Sequence, residues 1–263
     1  MSRVTFGPVG SFPVGGTYTT AFPTDENPLC EKGLWLNGAT EGSDWKDMQT
    51  TGGLAYGPLN FVSSNYDDAT SILAGTWSPN HQVEAVVHSI NQQTGSNFQE
   101  VEVRLRCAIS PHVISGYEVN WRCTHDGTQY HQIIWWYGRL GTSGGCANGC
   151  AFAGVTGSFD PNGNGMVNTT ACFDTSAATT AWGTTTYGGL FDGDTVGASI
   201  VNNQITTWII HSGTKVLLQQ FSDTAASDGG ALFKTGSPGI GHWLHGAGNT
   251  NDFGFTSMTA KEL

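Results

Sequence analysis

The sequence predicts an all-β protein built from antiparallel sheets, and three observations carry that prediction. From Phe191 to Ala260, short β-rich runs alternate with the turns Asn202-Asn203, Ser212-Gly213-Thr214 and Ser237-Pro238-Gly239. This is the punctuation of successive hairpins. The composition agrees: 37 glycines in 263 residues and only 12% charged residues suit many turns and offer little material for long helices. No Ala/Leu/Glu/Lys-rich amphipathic window of helical length is present. The length fits one or two average domains, but all-β sandwiches reach it as one unit, and a chain of this size buries a substantial core.

Along the chain, Asp25-Glu26-Asn27-Pro28-Leu29 opens the domain, followed by Trp35, Trp45 and the Thr50–Gly53 turn. Strands are expected near 54–62, 72–77, 82–91, 98–109, 115–123, 130–137, 151–156, 196–201, 204–210, 215–221 and 251–259. Between Gly138 and Gly193 the sequence loosens into Gly-, Thr-, Asn- and Ala-rich loops. Loops of that length tend to be functional. No internal repeat or interdomain linker is visible. Residues 1–20, rich in Gly, Pro, Val and Thr, read as an extended N-terminal arm that docks on a partner, and 21–263 as a single sandwich domain.

Three consecutive strands carry the most informative chemistry. From Phe98 to Cys107 the odd positions Val101, Val103, Leu105 and Cys107 are apolar, while Glu100, Glu102, Arg104 and Arg106 project from the other face. The next strand sets Glu118, Asn120 and Arg122 opposite Tyr117, Val119, Trp121 and Cys123. The third, Tyr130–Tyr137, places Gln132 and Trp136 on one side. Paired as a meander, these strands give one face of Arg, Glu, Asn and Gln bordered by aromatic rings. Planar Arg, Asn and Gln groups bond adjacent sugar hydroxyls, and aromatic faces pack on a pyranose. Glu and Arg pairing across strands as a solvated ladder is the alternative, with each pair contributing at most about 1 kcal/mol.

The order of the C-terminal elements adds a resemblance. A Gly193-Asp194 entry, a strand, an Asn turn, a second strand with Trp208, a third strand and the run Gly236–Gly241 lead to a closing strand with Asp252-Phe253-Gly254-Phe255. This resembles the concanavalin A-like (laminin-G-like) jelly-roll sandwiches. The resemblance implies two antiparallel sheets and a role in binding or processing polysaccharides, as lectin, glycosidase, lyase or structural module. The Glu-x-Asp-x-x-Glu strand of this class's retaining glycosidases is absent, since Glu100 and Glu102 have no Asp-x-x-Glu continuation. The alginate-type lyases are matched in part. Arg104 and Arg106 suit their arginine strand, but Ile134 stands where their Gln-Ile-His stretch has His, and His131 points to the opposite face. A structural calcium pinning the N-terminal segment to the last strand is a further implication, with Asp25 and Asp252 the matching positions. His242, Trp243 and His245 lie just past the glycine run, where several jelly rolls place ligand-touching residues; a packed Trp flanked by solvent-facing histidines is the alternative.

The remaining features bound the answer. The net charge is -11, with no basic block, so nucleic acid and anionic membrane are poor partners. The start lacks a secretory pattern, and no run of 18 apolar residues exists for a membrane helix. These features suit a chain working outside a cell or on a virus particle, its arm contacting other virion or surface proteins. Asp160-Pro-Asn-Gly-Asn-Gly165 has the first half of a calcium loop, with a tight Asn-Gly turn as the alternative. Of six cysteines, Cys146 and Cys150 are placed for a local bridge, with Cys172 an alternative partner, while Cys107 and Cys123 read equally well as buried thiols. The expectation is therefore a carbohydrate-recognition or surface-display module, with a polysaccharide lyase and a purely structural decoration protein as alternatives. Its ligand face comprises Arg104, Arg106, Glu118, Asn120, Arg122, Gln132 and Trp136, where truncation should weaken binding and barely move stability. Its candidate calcium ligands are Asp25, Asp252 and Asp160.

Overall fold

The computed structural model describes residues 16–43, 45–58, 69–93, 98–123, 131–138, 150–152, 190–224, 226, 228–246 and 248–263. In chain order the strands are β1 (Thr17–Thr20), β2 (Trp35–Asn37), β3 (Lys46–Asp47), β4 (Gln49–Thr51), β5 (Leu54–Tyr56), β6 (Ala69–Leu73), β7 (His81–Ser89) and β8 (Phe98–Ser110). They continue as β9 (Val113–Arg122), β10 (His131–Gly138), β11 (Cys150–Phe152), β12 (Thr195–Val201), β13 (Gln204–His211), β14 (Thr214–Ser222), β15 (Ser237–His245) and β16 (Phe253–Glu262).

These strands form two sheets, and the sandwich expected from the sequence is present. One sheet runs β14-β13-β12-β7-β16-β5-β4, with β1 beside β16; the other runs β11-β10-β9-β8-β15-β6-β2, with β3 beside β6. Pairing is antiparallel throughout, except that the two-residue β3 lies parallel to β6. The core fills the gap between the sheets. Val83, Ala85 and Val87 of β7, Val196, Ala198 and Ile200 of β12, and Phe253 and Phe255 of β16 meet Val101, Val103 and Leu105 of β8 and Tyr117, Val119 and Trp121 of β9. Period-two alternation puts these side chains on the inner faces, and their burial supplies the main driving force.

Two elements differ from the sequence reading. Thr17–Thr20, assigned above to the arm, is a sandwich strand: Thr17 pairs with Lys261 and Thr20 with Met258. Glu262 fastens this edge, because its carboxylate accepts from the amides of Gly16 at 3.0 Å and Ser78 at 2.6 Å. The glycine run Gly236–Gly241, read as a turn-like connection, lies mostly within strand β15, which sits in the middle of its sheet, hydrogen-bonded to β8 and β6. Its Gly and Pro content hid it, and its glycines have a packing reason. A Cβ on Gly239 would lie 2.3 Å from the Ser71 carbonyl oxygen, and one on Gly241 would lie 2.2 Å from Glu102 Oε2. Residues 1–15, the Asp160 loop, Cys146 and Cys172 lie outside the described residues, as does the side chain of Cys150. Cys107 and Cys123 are buried free thiols, raised by burial, Cys107 to about 12.

Candidate functional site

The outer face of the second sheet is polar and spans five strands. Registers between β8 and β9 set Glu100 against Arg122, Glu102 against Asn120 and Arg104 against Glu118. Gln132 of β10 lies beside Asn120. On the other flank Trp243 and Gly241 of β15 pair with Glu100 and Glu102, and Thr70 of β6 lies beyond Gly241. Five of the seven residues expected to face a ligand, namely Arg104, Glu118, Asn120, Gln132 and Trp136, join in one bonded network. Arg122 shares their face opposite Glu100.

That face is not an open surface. Glu100, Glu102, Arg104, Glu118, Asn120, Arg122 and Trp136 are each no more than 4% exposed, and Gln132 is half-buried. Arg104 is its centre. The guanidinium bonds Glu102 through Nη2 and Glu118 through Nη1, and Nε donates to Thr70 Oγ1 at 3.2 Å. Glu118 also accepts from Asn120 Nδ2 at 2.9 Å and from Trp136 Nε1 at 2.5 Å. Asn120 Nδ2 reaches Gln132 Oε1 at 3.3 Å. Trp45 closes one side: its ring meets Trp136 edge-on, 4.6 Å between centroids, and Arg104 Cζ sits 4.9 Å from the Trp45 centroid. Sequence reading noted Trp45 without placing it here, because the contact joins positions far apart in the chain.

The electrostatics follow from burial. Three carboxyls, Glu100, Glu102 and Glu118, share the face with two guanidiniums, Arg104 and Arg122. A buried face with an excess charge is costly, so a proton is the simplest remedy. Glu100 and Glu102 are the groups pushed toward the protonated form. Desolvation pushes both well above the usual carboxylate range, opposed by Arg122 and Arg104 for Glu100 and by Arg104 for Glu102, while Glu118 adds to the rise in each. Such neighbours titrate as a unit. One oxygen from each glutamate lies within 4.8 Å of the others. The spacing would suit a cation, but the Arg104 guanidinium already bridges Glu102 and Glu118. Two buried oxygens on this face, Glu102 Oε1 and Asn120 Oδ1, have no hydrogen-bond partner among the described residues.

Two expectations need correction. Arg106 leaves the face. A β-bulge between Leu105 and Ala108 holds it at φ 49°, a left-handed conformation rare for a side-chain-bearing residue, and breaks the parity. Its guanidinium instead donates to the carbonyls of Pro79 at 2.7 Å, Phe233 at 2.8 Å and Asn202 at 2.7 Å. His242 is not solvent-facing but stacks on Phe253, centroids 4.0 Å apart, with Nε2 on the Thr250 carbonyl at 3.1 Å. Asp25 and Asp252 belong to no group of three or more metal-type ligands among the described residues. Asp25 accepts from the Gly52 amide at 2.8 Å, and Asp252 from Asn91 and Asn249, each at 3.2 Å. Asp160 lies outside the described residues. His131 points away from the polar face, bonded to the Asn120 carbonyl and Thr207 Oγ1.

Comparison with known proteins gives no family model and no curated protein that matches the chain. Solved structures do match in outline. One is the carbohydrate-binding module CBM66 from Bacillus subtilis, at 9% identity and TM-score 0.42, covering 89% of this chain and 99% of that one. A second is described under endo-acting O-glycanases of human gut microbiota that initiate mucin breakdown. It has 8% identity and TM-score 0.49, with coverages of 94% and 98%. A third is the GH43B protein of a Bacteroides ovatus xyloglucan locus, at 12% identity and TM-score 0.48, covering 99% of this chain and 41% of that one.

Proposed function

We propose that this chain is a carbohydrate-recognition module whose ligand site is the polar face built around Arg104. The observation that carries the reading is a pair of buried oxygens without a partner among the described residues, Asn120 Oδ1 as an acceptor and Glu102 Oε1 as an acceptor or, when protonated, a donor, set among planar donors and indole rings. An unpaired buried acceptor costs about 1–3 kcal/mol, which a donor from outside the protein recovers. Hydroxyl groups are such donors, and a sugar ring brings several of them with an apolar face for the half-buried Trp243. Gln132 and Trp243, at the margins of the face, are half-buried where the residues between them are buried. The test is a glycan array followed by calorimetry on the polysaccharides retained. Wild type should bind at least one, and Gln132→Ala and Trp136→Phe should each weaken that binding by about 1–3 kcal/mol. Silence of the wild-type protein across the array overturns the reading.

A glycan-cleaving enzyme is the second reading, favoured by one feature: Glu100 and Glu102 are pushed toward the protonated form beside a carboxyl, Glu118, that is met by three donors. Paired carboxyls in unequal environments are the basis of acid–base cleavage. New reducing ends, lost in Glu102→Gln, mark hydrolysis; unsaturated products absorbing in the near ultraviolet mark a lyase. Binding without either product leaves the recognition module.

A further inference from the structure

At one end of the sandwich lies a second concavity that shares no residue with the polar face. It is an open cleft of about 520 Å³, framed by Pro79 and Asn80 ahead of β7, Asn202 and Asn203 in the β12–β13 turn, and the β14–β15 loop with Asp228 and Lys234. Clefts of this size accept small ligands. We propose that it is a second binding site for a neutral, hydroxyl-rich ligand, a single sugar residue being the class that fits; this rests on the carbohydrate reading above.

The base of the cleft is built in advance. Arg106 is 3% exposed and ties the Pro79, Asn202 and Phe233 carbonyls together, so the three segments that frame the cleft are fixed relative to one another. The amides at the rim are partly used. Asn80 Oδ1 accepts from the Asn202 amide at 2.8 Å, which orients its side chain and leaves its NH2 group as a donor. Asn203 Nδ2 donates to the Asp223 carbonyl at 3.0 Å, which leaves its oxygen as an acceptor. Lys234 and Asp228 pair at 3.0 Å, adding a charged donor and acceptor on the opposite wall. Lys234 and Asp228 offset each other at the rim, and the Arg106 guanidinium at the base is committed to three carbonyls with Asp223 as its nearby acidic group, so no uncommitted charge selects an anion or a cation. Alternating donors and acceptors around a half-open concavity match vicinal hydroxyls.

The test is a titration of 15N-labelled full chain with the methyl glycosides of glucose, galactose and mannose and with N-acetylglucosamine, each to about 50 mM, the range that detects millimolar affinity. The expected result is saturable shifts of the Asn80 and Asn203 side-chain NH2 signals and the Gly229 and Gly230 amides with at least one sugar. Asp228→Asn and Lys234→Gln, both at exposed positions, should weaken that binding about tenfold and leave the indole signals of Trp45 and Trp136 unmoved. Shifts at those indoles alone keep the polar-face reading and overturn the cleft. Shifts at the cleft signals alone keep the cleft and count against the polar face. No shift at the cleft signals with any of the four sugars overturns the proposal.

Discussion

Arg104 shows how burial changes the meaning of a residue. Read as one of a row on an exposed strand face, it is a contact whose loss barely touches stability. Fully buried between Glu102 and Glu118, it is the counter-charge for both. Removing one partner of a buried ion pair leaves an uncompensated charge and typically costs about 3–5 kcal/mol. Arg104→Met should therefore lower unfolding stability by that amount in urea titrations, and a change within about 0.5 kcal/mol would show that the network has no structural role. Gly241 supports the same cluster by having no side chain. A Cβ there would sit 2.2 Å from Glu102 Oε2 and 2.6 Å from Arg104 Nη2. Gly241→Val should destabilise the fold by about 1–3 kcal/mol through overpacking, read as a lowered melting temperature.

At the scale of elements, the strands legible in the sequence were those whose alternation survives in the fold. β7, β8 and β9 read directly, because apolar side chains at every second position enter the core. β15 did not, because it gives up side chains at Gly239 and Gly241 to make room for neighbours, and those glycines look like a turn until the cluster beside them is known. The polar face was legible in membership but not in depth: parity says which side a residue points to, not what lies over it. Arg106 escaped the rule because its bulge uses a left-handed arginine, with no glycine to mark it. β1 and the end of β16 yield a prediction at this scale. Glu262→Ala removes the acceptor for the Gly16 and Ser78 amides. Amide exchange should then accelerate at both amides and along Thr17–Thr20, at a cost of about 1–3 kcal/mol. Unchanged exchange there would mean that the strand ladder alone holds the edge.

The molecule as a whole should be sensitive to acid. Burial lowers His81 and His131 to about 4 and His242 to about 3, leaving all three neutral in the folded state. A histidine with a lowered folded value contributes stability that is complete above its unfolded value, about 6.5, and is lost as the pH falls through the folded one. Each contributes on the order of 3 kcal/mol in this way. Glu100 and Glu102 act oppositely. Their raised values give stability that is complete below the unfolded carboxylate value, about 4.3, and is lost as the pH rises. Three histidines outweigh one proton shared by a coupled pair, so unfolding free energy should drop steadily between about pH 6.5 and 4. Denaturant titrations at half-unit pH intervals measure this, and a flat profile over that range would contradict the buried, neutral histidines.

The bond pattern of Arg106 has a kinetic consequence. One guanidinium gathers carbonyls from three segments that are distant in sequence, at 79, 202 and 233. Segments tied through a single hub lose their independent fluctuations, so their opening should be correlated and not local. In Arg106→Leu, amide exchange around these positions should quicken together and by similar factors, while β7 and β16 keep their protection. Three unrelated changes in rate would mean that each loop is held by its own bonds.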